Sequence, residues 1–232
     1  MRSSCNARLP SAMSITSVSR PVAMRILFVV TEHEGGITPQ RREGYDAVRT
    51  RIASMTDARV ESAPYWTIES PSADALVLSG SADPWALHDP VALERFYEVL
   101  RRYPGPVLGI CAGMQMLVRA GGGAIGASAQ PTRGFVAVDR LDDSDLLSGS
   151  APSFEVFQSH EDEVTRLPSG FRVLATSQSC RVEAVAADDR PWWGTQFHPE
   201  AWDPEHPAGE AIIERYLQLV GAPFARGRGA SR

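Results

Sequence analysis

The 232-residue sequence contains no lysine; all 23 of its Lys/Arg positions are arginine. Schiff-base chemistry and a phosphate-loop lysine are therefore excluded. Cysteine is scarce as well. Cys5, Cys111 and Cys180 are odd in number, far apart, and form no C-x-x-C pair. That argues against a disulfide framework and against a structural zinc site, and it suits a reducing, cytoplasmic setting. No apolar run approaches the length that crosses a bilayer, so no membrane partner is expected. The formal net charge is −5 and no dense basic run lies outside the tail, so no nucleic-acid partner is expected either.

What is present suits one globular domain: 43% of residues are hydrophobic and 22% charged. Residues 1–23 are rich in Ser and Arg and contain no acidic residue. They lack the apolar centre of a secretory signal. Met24 then opens directly into the apolar run RILFVV. We expect a disordered N-terminal extension over 1–23, a folded domain over 24–221, and a flexible tail over 222–232.

Arg25–Val30 is a continuous apolar run, the mark of a strand buried on both faces. Residues 39–54 carry Tyr45, Val48 and Ile52 at helical spacing, behind a first-turn proline, Pro39. Asp74–Ser79 reads as a second buried strand, 90–102 as an amphipathic helix, and Val107–Ile110 as a third strand. A helix then runs from Cys111 until AGGG stops it. Strand and helix alternate, which predicts a mostly parallel sheet with helices on both faces, an α/β fold. Beyond the first 120 residues the pattern changes. Gly134–Val138, Ser153–Phe157, Phe171–Thr176, Arg181–Ala186 and Trp192–Phe197 read as short strands, some antiparallel, before a last helix over 207–220.

Two stretches carry chemistry. In PVLGICAGMQML a buried strand runs into Gly-Ile-Cys-Ala-Gly and then into a helix. This is a nucleophile elbow pattern, with Gly109 and Gly113 small because backbone comes close. It places the Cys111 thiol at a helix N-terminus, which favours thiolate, and aims the Ala112 N–H at a developing oxyanion. The second stretch is GTQFHPE. Strand alternation would put His198 and Glu200 on one side, with Pro199 stiffening the link. A nucleophile, a base and a carboxylate that orients the base would then meet.

Other polar residues read more blandly. His160 offers a second histidine, but the base position is already filled. His33 lies between Glu32 and Glu34, and adjacent strand residues do not converge on a metal. His88 and His206 read as solvated loop residues, and Cys180 as inert. Asp142, Asp143 and Asp145 lack calcium-loop spacing. GGGAIG follows a helix rather than a strand, so it does not read as a dinucleotide loop. Of Trp192 and Trp193, one is expected in the core.

Together LGICAGMQML and GTQFHPEAW resemble the class I, triad-type glutamine amidotransferases, as does the 87-residue step from Cys111 to His198. The Ser-His-x-Asp-x-Val stretch at 159–164 is most similar to that of the glutaminase domain of GMP synthetase. The resemblance covers about residues 74–220 and implies a flavodoxin-like three-layer fold. It implies Cys111 as nucleophile, His198 as base and acid, and Glu200 as orienter. It implies an oxyanion hole from Ala112 and the Gly80-Ser81 loop, and substrate contacts from Gln115, Ser159 and His160. No metal or organic cofactor is implied. The chain departs from the family in two places: Gly80-Ser81-Ala82 replaces the usual Gly-Gly-Pro or Gly-Pro-Gly, and TEHEGG lacks the usual opening.

The expected reaction is hydrolysis of the glutamine side-chain amide through a cysteine thioester, with ammonia passed to a partner synthetase. The alternatives are a stand-alone hydrolase of γ-glutamyl amides, a catalytically silent regulatory domain, and a cysteine-elbow relative outside the family. The intact Cys-His-Glu set argues against the silent domain, and FHPE against the last.

Overall fold

The computed structural model describes residues 24–222. The expected extension over 1–23, including Cys5, and the tail beyond residue 222 lie outside the described residues. In chain order the elements are β1 (Arg25–Val30), α1 (Pro39–Ala53), β2 (Arg59–Pro64), β3 (Ala75–Leu78), α2 (Pro90–Arg102) and β4 (Val107–Ile110). They continue with α3 (Ala112–Ala120), β5 (Ala124–Arg140), β6 (Ser153–Arg166), β7 (Phe171–Thr176), β8 (Ala184–Ala187), β9 (Trp192–Thr195) and α4 (Ala208–Val220).

The strands form one nine-stranded sheet, ordered β2-β1-β3-β4-β9-β8-β7-β5-β6. From β2 to β9 the pairing is parallel. From β9 to β6 it is antiparallel. This is the expected α/β architecture with an antiparallel portion. One face packs against α1 and α4 through Ile52, Ile212, Ile213 and Tyr216. The other packs against α2 and α3 through Leu93, Phe96, Leu100, Met116 and Leu117. Helices covering both faces explain why β3, β4 and, after Arg25, β1 are apolar. Trp192 and Trp193 point to opposite faces, and both are buried, where only one was expected in the core.

The helix starts follow local chemistry. Thr38 accepts the Arg41 N–H ahead of Pro39, and Asp89 accepts the Val91 N–H ahead of Pro90. Each pairs an oxygen cap with a proline that has no N–H to satisfy.

The sequence reading missed β2. It is an edge strand in which only Val60 is buried, so its residues show neither an apolar run nor clean alternation. It also cut β5 and β6 short: they run as one long antiparallel ribbon from Ala124 and back to Arg166. The register shifts between Ala127 and Thr132, and that irregularity lets Pro131 sit within a strand. β8 begins at Ala184 rather than Arg181, and β9 ends at Thr195.

Because β1, β3, β4 and β9 are parallel, their carboxyl ends open on the same edge of the sheet. That edge collects Glu32, Gly80, Cys111 and His198.

Candidate active site

Cys111 lies between β4 and α3 with φ 50° and ψ −108°. A non-glycine residue in this region is strained, and such strain persists only where its surroundings enforce it. Here they do. The Cys111 N–H bonds Thr195 O at 2.7 Å, and Gln115 N–H bonds Cys111 O at 3.1 Å. A Cβ on Gly109 would lie 2.6 Å from Gly113 backbone, and one on Gly113 would lie 2.5 Å from Leu78 O. Both glycines are therefore required by close approach, as the elbow reading demands. The thiol is buried, 3.9 Å from Ser159 O, and the Gln196 side-chain amide donates to it at 3.5 Å.

His198 Nδ1 bonds Glu200 Oε1 at 2.7 Å. The route differs from the one expected. β9 has already ended, and Pro199–Ala201 forms a 3-10 turn that folds the carboxylate back under the ring. The His198 N–H is anchored to Phe157 O at 2.8 Å. From below, α4 presses close: a Cβ on Gly209 would lie 2.2 Å from Pro199 O. His198 Nε2 makes no hydrogen bond of ordinary geometry. Burial disfavours the imidazolium, but the Glu200 carboxylate and the nearby Cys111 sulfur outweigh it. The ring's pKa is thereby raised well above its ordinary value, so the imidazole takes up a proton readily.

Gly80 and Ser81 follow β3 at the same edge. A Cβ on Gly80 would lie 2.9 Å from His198 Cε1 and 3.6 Å from Cys111 Cβ, so this loop borders both. The Gly113 N–H bonds Ser79 O at 3.0 Å, tying the loop to the elbow. A cleft of about 360 Å³ opens beside the thiol. Ser81, Ala112, Gln115, Ser159 and His160 all line it, so it gathers these expected residues around Cys111. Gln115 is buried; its amide donates to Asp162 O at 2.8 Å and Gln196 Oε1 at 3.0 Å, and it accepts from Trp85 Nε1 at 2.9 Å. Burial lowers the His160 pKa, keeping its ring neutral, and neither ring nitrogen has a partner.

Several residues here carried no sequence assignment. Trp85 and Arg133 line the cleft, and Gln196 touches the sulfur. Gln196 lay inside a quoted motif, which was the available signal. Trp85 and Arg133 sit outside both motifs and gave none.

Three expectations need correction. His88 is buried rather than solvated, packed between Tyr65 and Trp85, and burial pushes its pKa down to about 4. His206 is half-buried, stacked on Phe135 and bonded to Asp203 at 2.9 Å. Tyr65 and Phe135, both distant in sequence, supply part of that cover. Glu32 and His33 do converge on a third acid, but it is Asp83 rather than Glu34. Arg41 already supplies the positive charge there, bonding Asp83 Oδ1 at 2.8 Å and lying 3.5 Å from Glu32. Cys180 is buried, and its thiol is pushed up to about 12, as an inert thiol would be.

A strained cysteine elbow, a histidine–carboxylate pair and a cleft thus meet at one edge of the sheet. The family model for class I glutamine amidotransferases matches residues 47–217, and the chain belongs to that family. A Pyrococcus abyssi relative, named as a glutamine-hydrolyzing subunit of GMP synthase, is 32% identical over 158 residues, covering 68% of this chain and 81% of that protein. A Natronomonas pharaonis protein of the same name is 41% identical over 153 residues, covering 65% and 78%. In fold, the chain is similar to a solved glutamine amidotransferase from Thermotoga maritima, with TM-score 0.63 at 18% identity, covering 86% of this chain and 98% of that one.

Proposed function

We propose that Cys111, His198 and Glu200 carry the reaction by which this glutamine amidotransferase hydrolyses the side-chain amide of glutamine and releases ammonia for a partner synthetase. His198 Nε2 takes the Cys111 proton, and the thiolate attacks the carboxamide carbon. The N–H of Ala112 and one from the Gly80-Ser81 loop hold the tetrahedral oxyanion, each donor worth about 3 kcal/mol. The C–N bond breaks as His198 protonates the leaving nitrogen, giving ammonia and a γ-glutamyl thioester. Water, deprotonated by His198, then cleaves the thioester to glutamate and restores the thiol. Gln115, Ser159 and His160 hold the substrate. The observation that carries the reading is the 2.7 Å His198–Glu200 bond beside a cysteine held at φ 50°.

The relatives' name makes a GMP-forming synthetase the first ammonia acceptor to try. The test is ammonia or amine release from L-glutamine and a panel of γ-glutamyl amides, with Cys111→Ser as control. Cys111-dependent turnover of glutamine is expected. Turnover of γ-glutamyl amides far above glutamine would replace the reading with a stand-alone γ-glutamyl hydrolase. Equal inactivity of both proteins, with and without a synthetase, would leave a silent domain.

A further inference from the structure

Resting on that glutaminase reading, we propose that Glu32, with Thr31 and Ser79, clasps the Gly80–Ser81 peptide so that its N–H faces Cys111 before any partner binds. These are positioning residues: they act through the oxyanion loop and touch no substrate.

The loop lacks the glycine–proline sequence usual in the family, and something else must set its peptide. Gly80 O accepts the Ser79 hydroxyl at 2.7 Å, and the Thr31 hydroxyl, 2.9 Å from both Gly80 O and Ser79 O, shares its one proton between them. The described chain contains no cis peptide. In a trans peptide the carbonyl and the following N–H point opposite ways. The Ser81 N–H therefore points away from Thr31, toward the side where Ser81 joins Cys111 and Ala112 in lining the cleft.

Glu32 fixes the next step of the chain. Its carboxylate is fully buried and accepts the Ser81 hydroxyl and the Ala82 N–H, both at 2.9 Å. The His33 N–H at 3.2 Å and the Tyr45 hydroxyl at 3.1 Å complete its shell, with Arg41 balancing its charge. Tyr45 has one proton to give; Gly80 O lies farther, at 3.3 Å, so Glu32 takes it. Flipping the Gly80–Ser81 peptide would strip both hydroxyls from Gly80 O and turn the Ser81 N–H toward groups already engaged. A buried donor left unpaired is disfavoured, so the clasp holds one orientation.

The test uses Glu32→Gln, which keeps the shape but sets an NH2 against donors that need an acceptor. Ammonia release from L-glutamine by the purified chain is expected to show kcat down about 10- to 100-fold with KM within about twofold, the pattern of lost transition-state contact. Alkylation of Cys111 by iodoacetamide needs no oxyanion hole, and its rate should not change. Thr31→Val removes one hydroxyl at constant shape and should lower kcat about 3- to 10-fold; it serves if Glu32→Gln does not fold. Wild-type kcat in a folded Glu32→Gln protein, or alkylation falling in step with kcat, would overturn the clasp while leaving the glutaminase standing. Wild type and Cys111→Ser equally without ammonia release would instead sink the glutaminase reading itself.

Discussion

Replacing Glu183 by glutamine should make the protein more stable at neutral pH. Glu183 is fully buried on the strand side of the site, and its Oε2 accepts Gln158 Nε2 at 2.8 Å. Its other oxygen and Gln158 Oε1 are both buried without a partner. Burial raises the carboxyl pKa, and the Gln158 bond only partly counters it. In Glu183→Gln the new NH2 can donate to Gln158 Oε1, closing a two-bond amide pair and removing a buried charge. Relieving one unsatisfied charged acceptor and adding one bond contributes about 1–3 kcal/mol. For a domain of this size that is a rise in Tm of roughly 2–10 °C. The assay is thermal unfolding followed from pH 7 down to pH 4. Protonation gives wild-type Glu183 the same donor. A raised carboxyl pKa makes the folded state gain stability as pH falls toward the unfolded pKa. The variant's advantage should therefore shrink as the pH drops. A Glu183→Gln protein that melts below wild type at pH 7, or whose advantage does not depend on pH, would refute this reasoning.

Gly113→Ala would push a methyl to 2.5 Å from Leu78 O and strain the Gly113–Ser79 link, so ammonia release should fall at least about 100-fold, with about 1–3 kcal/mol lost on chemical denaturation. His88 has its pKa pushed down to about 4, so the folded state resists a proton that the unfolded chain accepts near 6.5. Stability should drop between pH 6.5 and pH 4 by up to about 3 kcal/mol, and His88→Phe should flatten that drop in a urea series; an unchanged slope in the variant would count against a buried neutral His88.

The layout of the candidate site was legible in the sequence because it is local. Gly109, Cys111 and Gly113 announce a turn whose strain follows from their own spacing. His198 and Glu200 sit two residues apart, although a 3-10 turn rather than strand alternation brings them together. The parallel half of the sheet was legible because helices on both faces force β3, β4 and, after Arg25, β1 to be apolar. The edge strand β2 and most of the β5–β6 ribbon were not, since a strand half in water needs few apolar residues. Residues whose roles arise only from convergence left no local trace. Glu32 meets Ser81 across 49 positions, and Gln196 reaches Cys111 across 85. His88 looked solvated because Tyr65, which stacks on it, lies 23 positions away and the short 3-10 turn that brings Trp85 onto it was not read from the sequence.

The contact between Gly209 and Pro199 O has a consequence for order of assembly. A chain emerging from the ribosome makes β1 through α3 first, but the bent turn at Cys111 gains its restraint from Thr195 O only when β9 follows. The imidazole that would activate this thiol arrives almost ninety residues later. Its seat is firm only once the final helix packs beneath the proline beside it. On the roles proposed for Cys111 and His198, a nascent chain keeps its sulfur without its base until nearly all of the domain has been made.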